Sequence, residues 1–164
     1  MRVQDSRLRA WPQYTEHYFL LRRAAQPHRD GLQIGTPVQW RDVAALPLCL
    51  LTAEMHNRTI VDAAFRAAGV SVQPAMETNS IMTLMLSVVA GDVCSILPGS
   101  LVDTVRNYRE LDALPLIGPE VRTPIAFISH AQARPSRALE AALALLQDAT
   151  WLQHAASHSG ALTV

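Results

Sequence analysis

Met76 to Val102 reads METNSIMTLMLSVVAGDVCSILPGSLV, nearly unbroken apolar sequence with Glu-Thr-Asn-Ser at its front and Gly-Asp in its middle. Ile81, Leu84, Met85 and Val88 recur at helical spacing, and Met82, Leu86 and Val89 fill the other side, which predicts a helix buried nearly all round. Asn79 or Ser80 stands where a helix wants a side-chain cap. Gly91 stands where the chain needs a positive φ to leave the helix. The run VCSILP that follows has the length of a short strand buried on both faces. Strand end, polar turn, apolar helix, glycine, strand: the stretch is one α/β unit.

The same alternation extends outward. Upstream, LPLCLLT reads as a buried strand and HNRTIVDAAFRAAG as a helix, with Ile60, Val61, Ala64, Phe65 and Ala68 on one face and Gly69 as its stop. Between them and the opening stretch, VSVQPAME predicts a half-buried strand weakened by Pro74. Further back, VQWRDVAAL reads as a short helix, residues 24–37 as a polar loop, and RLRAW and HYFLLRR as two strands separated by Pro12 and Gln13. Downstream come a helix, GSLVDTVRNY, and two strands, LDALPLI and RTPIAFISH. SRALEAALALLQDATWLQ is an amphipathic helix with Leu139, Ala142, Leu143 and Leu146 on one face and Ser136 as its cap. Strands and helices alternating from Leu46 onward imply an α/β architecture with a largely parallel sheet. The small, polar end HAASHSGALTV is expected to fray.

Composition removes several classes of function. A chain of 164 residues, 49% hydrophobic and 17% charged, has material for one compact domain or two small lobes. Fourteen basic against fourteen acidic side chains give no excess positive field to draw a nucleic-acid backbone. The N-terminal sequence has no apolar core of signal-peptide length, and no segment reaches the roughly 20 apolar residues that span a bilayer. The expectation is a cytoplasmic protein without membrane contact. Cys49 and Cys94 lie in apolar runs and read as reduced, buried thiols, with a disulfide or a catalytic thiol as the alternatives. His154 and His158 stand four apart, yet no carboxylate or cysteine completes a metal site. No Gly-rich phosphate loop, nucleophile elbow or paired-carboxylate motif is present. No metal, cofactor or enzymatic activity is expected.

The ordered succession LPLCLLT, NRTIVDAAFRAAG, PAMETNS, IMTLMLSVVAG, DVCSILP resembles the effector-binding domain of LysR-type transcriptional regulators. The densest match is ETNSIMTLMLSVVAGDVCSILPGSLV. YTEHYFLLRR is similar to the strand that crosses between the family's subdomains, and RTPIAFISHAQARPSRALEAALALL to its closing strand and helix. The resemblance covers roughly Leu8 to Leu146. It implies a periplasmic-binding-protein-like (type 2) two-lobed fold, with the second subdomain complete and only part of the first. Residues 1–22 then hold a remnant of subdomain I and the crossover strand, 23–121 subdomain II, 122–152 the return strand and helix of subdomain I, and 153–164 a flexible tail. The family's winged helix-turn-helix is expected to be missing from this chain, so DNA would be a partner only through that absent domain.

The implied function is sensing of a small, anionic metabolite by a bacterial regulator that works as a homo-oligomer, dimer or tetramer. A solute-binding protein of a transport system, which uses the same fold, is the alternative. Thr78, Asn79 and Ser80, at the end of a strand and the start of a helix, direct hydroxyls, an amide and free N–H groups at one point, which favours an anion. Glu77 to Ser80 is thus expected to form the floor of the effector cleft. By the same topology the turn TAEMHNR brings Thr52, His56 and Asn57 to that cleft, and Leu97 and Pro98 close its apolar wall. The competing reading is that Asn79 or Ser80 only caps the helix and His56 only begins one.

Overall fold

The computed structural model describes residues 5–131 and 135–157 and divides the chain into two compact units, residues 17–121 and the remainder on either side. In chain order, β1 (Leu8–Glu16) belongs to the flanking unit. The second unit runs through β2 (Tyr18–Arg23), β3 (Gln33–Ile34), β4 (Val38–Gln39), α1 (Trp40–Val43), β5 (Cys49–Leu51) and α2 (His56–Ala67). It continues with β6 (Met76–Thr78), α3 (Ile81–Ala90), β7 (Ser95–Pro98), α4 (Gly99–Thr104) and β8 (Leu111–Ile117). The flanking unit is completed by β9 (Thr123–His130), α5 (Arg137–Leu146) and α6 (Ala149–Ser157). The division between units falls at Glu16 and His17, so HYFLLRR lies inside the second unit.

Tyr18–Leu21 is buried there because β2 is central: it pairs antiparallel with β7 on one side and with β8 on the other. β3 and β4 add short parallel pairings to β8. β5 and β6 pair in parallel, with Leu51 opposite Thr78. A parallel bridge from Leu48 to Cys94, a 2.8 Å bond from the Cys49 N–H to the Cys94 carbonyl, and the Ser95 hydroxyl donating to the Cys49 carbonyl at 2.8 Å tie β5 to β7.

Strand alternation sorts the core into two clusters. Leu20, Leu50, Ile96 and Leu114 pack with Trp40 and with Val61, Ala64 and Phe65 of α2. Phe19, Leu21, Cys49, Leu51 and Leu97 pack with Leu84 and Val88 of α3 and Val102 of α4. Trp40 and Phe65 meet edge to face, with ring centroids 5.1 Å apart and planes at 89°.

Four expectations about the elements are corrected. No strand forms over Val70–Ala75: Pro74 withholds a donor, and the Ala75 and Met76 N–H groups both bond the Leu48 carbonyl, so pairing starts only at Met76. α3 is not buried all round, since Leu84 and Val88 are covered while Met82 is 62% and Leu86 53% exposed. β1 runs through Pro12 without a break, because its pairing with β9 shifts register between Pro12 and Tyr14 and relieves the proline of a ladder bond. The last long helix is two: Gln147 ends α5, and Asp148 caps α6, its carboxylate accepting from the Trp151 N–H at 2.9 Å.

In the flanking unit, the Trp11 indole donates to Ser129 across the β1–β9 ribbon and the Trp151 indole donates to Gln13, docking α6 on β1. α6 carries residues 149–157, including Gln153 and His154, and residues 158–164 lie outside the described part, His158 among them. Among the described residues no helix is long and apolar enough to cross a membrane.

Candidate functional site

In the second unit, β5, β6 and β7 run in parallel and each is followed by a helix, so three strand-to-helix turns share one rim of the sheet. β2 enters at the same rim, Tyr18 pairing with Pro98. This is where an open α/β sheet presents free backbone N–H groups and positive helix ends.

The turns are stitched together. The Thr52 N–H donates to the Thr78 carbonyl at 3.0 Å, joining the turn after β5 to the end of β6. Thr78 Oγ1 accepts from the Ser80 N–H at 3.1 Å, and Ser80 Oγ accepts from the Thr83 N–H at 3.2 Å. Ser80 is therefore the N-cap of α3, as one of the two sequence readings had it, and each hydroxyl keeps its own proton to donate. Asn79 is exposed at the head of the turn. His56 is exposed and Asn57 half-buried in the first turn of α2, whose N-cap residue, Met55, makes no side-chain cap bond. The first N–H groups of that helix are thus left to solvent or to a ligand. Leu97 and Pro98 end β7 at this rim but are buried, Leu97 fully, within the core beneath it.

The rim also carries carboxylates. Glu54, in the turn after β5, accepts from the Thr52 hydroxyl at 2.8 Å; its backbone hydrogen bond and that hydroxyl lower its pKa. Glu77, in β6, is held by Arg58 of α2, whose guanidinium Nη1 donates to it and also to the Leu51 carbonyl at 2.7 Å, while Nε donates to Asp62 at 2.8 Å. Burial opposes the charge of Arg58, but the hydrogen bonds to Glu77 and Asp62 outweigh it and raise its pKa. Arg58 was not among the residues singled out from sequence. The available signal was its spacing four before Asp62 on one helix face; nothing local linked it to Glu77.

Both cysteines are free, and burial raises each thiol pKa, partly offset at Cys94 by the charge of Arg22. At both, burial outweighs any charge that would activate a thiolate. Among the described residues no three His, Cys, Asp or Glu side chains gather in a group able to hold a metal.

Comparison with known proteins agrees with this geometry. The family model described as the LysR substrate binding domain matches residues 1–151. Among solved structures, a cysteine variant of OxyR from Corynebacterium glutamicum superposes with a TM-score of 0.68 at 17% identity, covering 95% of this chain and 47% of that one. A full-length OxyR variant from Pseudomonas aeruginosa gives a TM-score of 0.68 at 20% identity, covering 97% and 48%. The C-terminal domain of a probable LysR family transcriptional regulator from Rhodococcus sp. RHA1 gives 0.67 at 21%, covering 88% and 69%. The chain thus spans about half the length of the full-length regulators it matches. A search of curated protein sequences finds no match. The fold is the periplasmic-binding-protein-like (type 2) α/β fold of these regulatory domains. With its family model matched across nearly all of its length, the chain belongs to the LysR substrate-binding domain family.

Proposed function

We propose that the chain is the sensing part of a bacterial LysR-type transcriptional regulator. It binds a small anionic metabolite at the rim formed by Thr52, His56 and Asn57 and by Thr78, Asn79 and Ser80, with Leu97 and Pro98 at the end of β7 as the packed support beneath it. It catalyses no reaction. Its output is a change in the geometry of helix-turn-helix domains carried by the regulator, in a cytoplasmic homo-oligomer. CbnR, a structural neighbour at a TM-score of 0.66, has been solved in complex with its target DNA and serves as the pattern.

The observation that carries this reading is the parallel register of Leu51 with Thr78. It brings the uncapped first turn of α2 and the Ser80-capped first turn of α3 to one rim beside three short polar side chains. Such a rim offers several N–H and hydroxyl donors, and its carboxylates Glu54 and Glu77 are already bonded to Thr52 and Arg58, which fits binding of an anion. A titration of the isotopically labelled chain with sulfate, acetate and succinate, followed by amide NMR, tests it. Saturable shifts of the Thr78–Thr83 and His56–Thr59 amides, weakened in Thr78→Val, are expected. If no anion moves these amides, or if Thr78→Val responds as the unsubstituted chain does, the reading is wrong.

A further inference from the structure

Glu77 poses a difficulty for an anion site, since its carboxylate stands one residue before Thr78 on a side chain that is 46% exposed. A negative charge at that distance repels an incoming anion. From the bonding around it we infer that Arg58 is a positioning residue for the rim: it compensates the charge of Glu77 and holds that carboxylate back from Thr78, so that an anion meets the donors of the rim and not a free carboxylate. This rests on the reading of Thr78–Ser80 as an anion site.

The geometry is specific. Arg58 is 9% exposed, in the first turn of α2. Its one guanidinium reaches the last carbonyl of β5, at Leu51, the Glu77 carboxylate of β6, and Asp62 one turn along its own helix. Leu51 and Glu77 each directly precede a rim residue, Thr52 and Thr78, and those two are themselves bonded through the Thr52 N–H. A planar, multi-donor fork holds three acceptors in fixed directions, which a lysine ammonium does less well. Asp62, Arg58 and Glu77 together carry one net negative charge; without Arg58 the same place carries two, and Glu77 is free to swing toward Thr78.

A purely structural ion pair would stabilise the fold without setting the charge the ligand meets, and rescue separates the two roles. The probe is inorganic sulfate, read at the Thr78–Thr83 amides, with melting temperature followed in parallel. Arg58→Met is expected to weaken sulfate on the order of tenfold, because the Glu77 carboxylate then stands uncompensated beside the rim. Adding Glu77→Gln to Arg58→Met should return the affinity to within about threefold of the unsubstituted chain, whatever the melting temperature does. Glu77→Gln alone should bind sulfate as well as the unsubstituted chain or better, and this single variant decides the matter if Arg58→Met does not fold. A double variant as weak as Arg58→Met, or a Glu77→Gln that loses more than about threefold, overturns the role of Arg58 while leaving the anion site standing. No sulfate response in the unsubstituted chain overturns the anion site itself, and the proposal with it.

Discussion

The Ser95 hydroxyl, fully buried, donates to the carbonyl of Cys49 at 2.8 Å, fastening β7 to β5 beside the Leu48–Cys94 bridge, whose two backbone bonds run from the Cys49 N–H to Cys94 and from the Cys94 N–H to Pro47. Ser95→Ala removes the donor and leaves that carbonyl short of a partner. A loss of about 1 kcal/mol in unfolding free energy is expected. Faster amide exchange at Cys49, whose own N–H bonds Cys94, should accompany it. Denaturant unfolding and hydrogen exchange check both, and a Ser95→Ala chain as stable as the original contradicts the assignment.

Gly91 ends α3 with φ at 99°, and a Cβ there would lie 2.8 Å from Cδ of Arg23, the residue whose guanidinium caps the same helix through the Val89 and Ala90 carbonyls. Gly91→Ala meets both the left-handed backbone penalty and that side chain. A cost of about 1–2 kcal/mol follows from the backbone alone. Gly91→Asn, better suited to that conformation, should lose less, and thermal unfolding of the two variants compares them.

Leu84 and Leu86 lie on opposite sides of α3, one fully buried and the other 53% exposed. Leu84→Ala should cost about 2–5 kcal/mol, as large-to-small changes in a packed core do. Leu86→Gln should stay within about 0.5 kcal/mol. Equal losses at both positions, measured by urea unfolding, would restore the picture of a helix buried on every side.

The thiols set an alkaline limit. Burial raises the pKa of Cys49 and of Cys94, so the native chain keeps protons that the unfolded chain releases above about 8.5. Their contribution to stability is complete below that value and declines as pH rises from there toward the folded pKa values. Melting temperatures between pH 7 and 10 should fall less steeply for Cys49→Ala with Cys94→Ala than for the unsubstituted chain. An identical slope would mean that neither thiol is shifted by burial.

What was readable in the sequence is what acts over one turn of chain. Ser80 and Gly91 mark the ends of α3 because a cap and a left-handed exit work on the nearest few residues, and both stand where expected. The strand expected from Val70 fails because Val-Ser-Val alternation says nothing about whether a partner's donors and acceptors are free; Leu48 already takes two N–H groups there. Met82 and Leu86 carry an apolar signature, yet exposure depends on what the rest of the chain lays over them. At the rim, Thr78, Asn79 and Ser80 announce themselves by interrupting an apolar run. Arg58 does not, because its bond to Glu77 spans 19 residues and exists only once β5 and β6 are in register.

The rim residues Asn79 and His56 are exposed, while Leu50, Leu51 and Leu97 beneath them are closed into the core. Exposed turn and packed strand therefore occupy neighbouring letters of the sequence. A lineage can exchange the side chains at these two positions for others of different charge or size without disturbing any packed contact below. On the proposed reading of this rim as an anion site, one sheet can in this way be retuned from one small molecule to another by a few substitutions, with inheritance of the scaffold and divergence of the ligand proceeding independently.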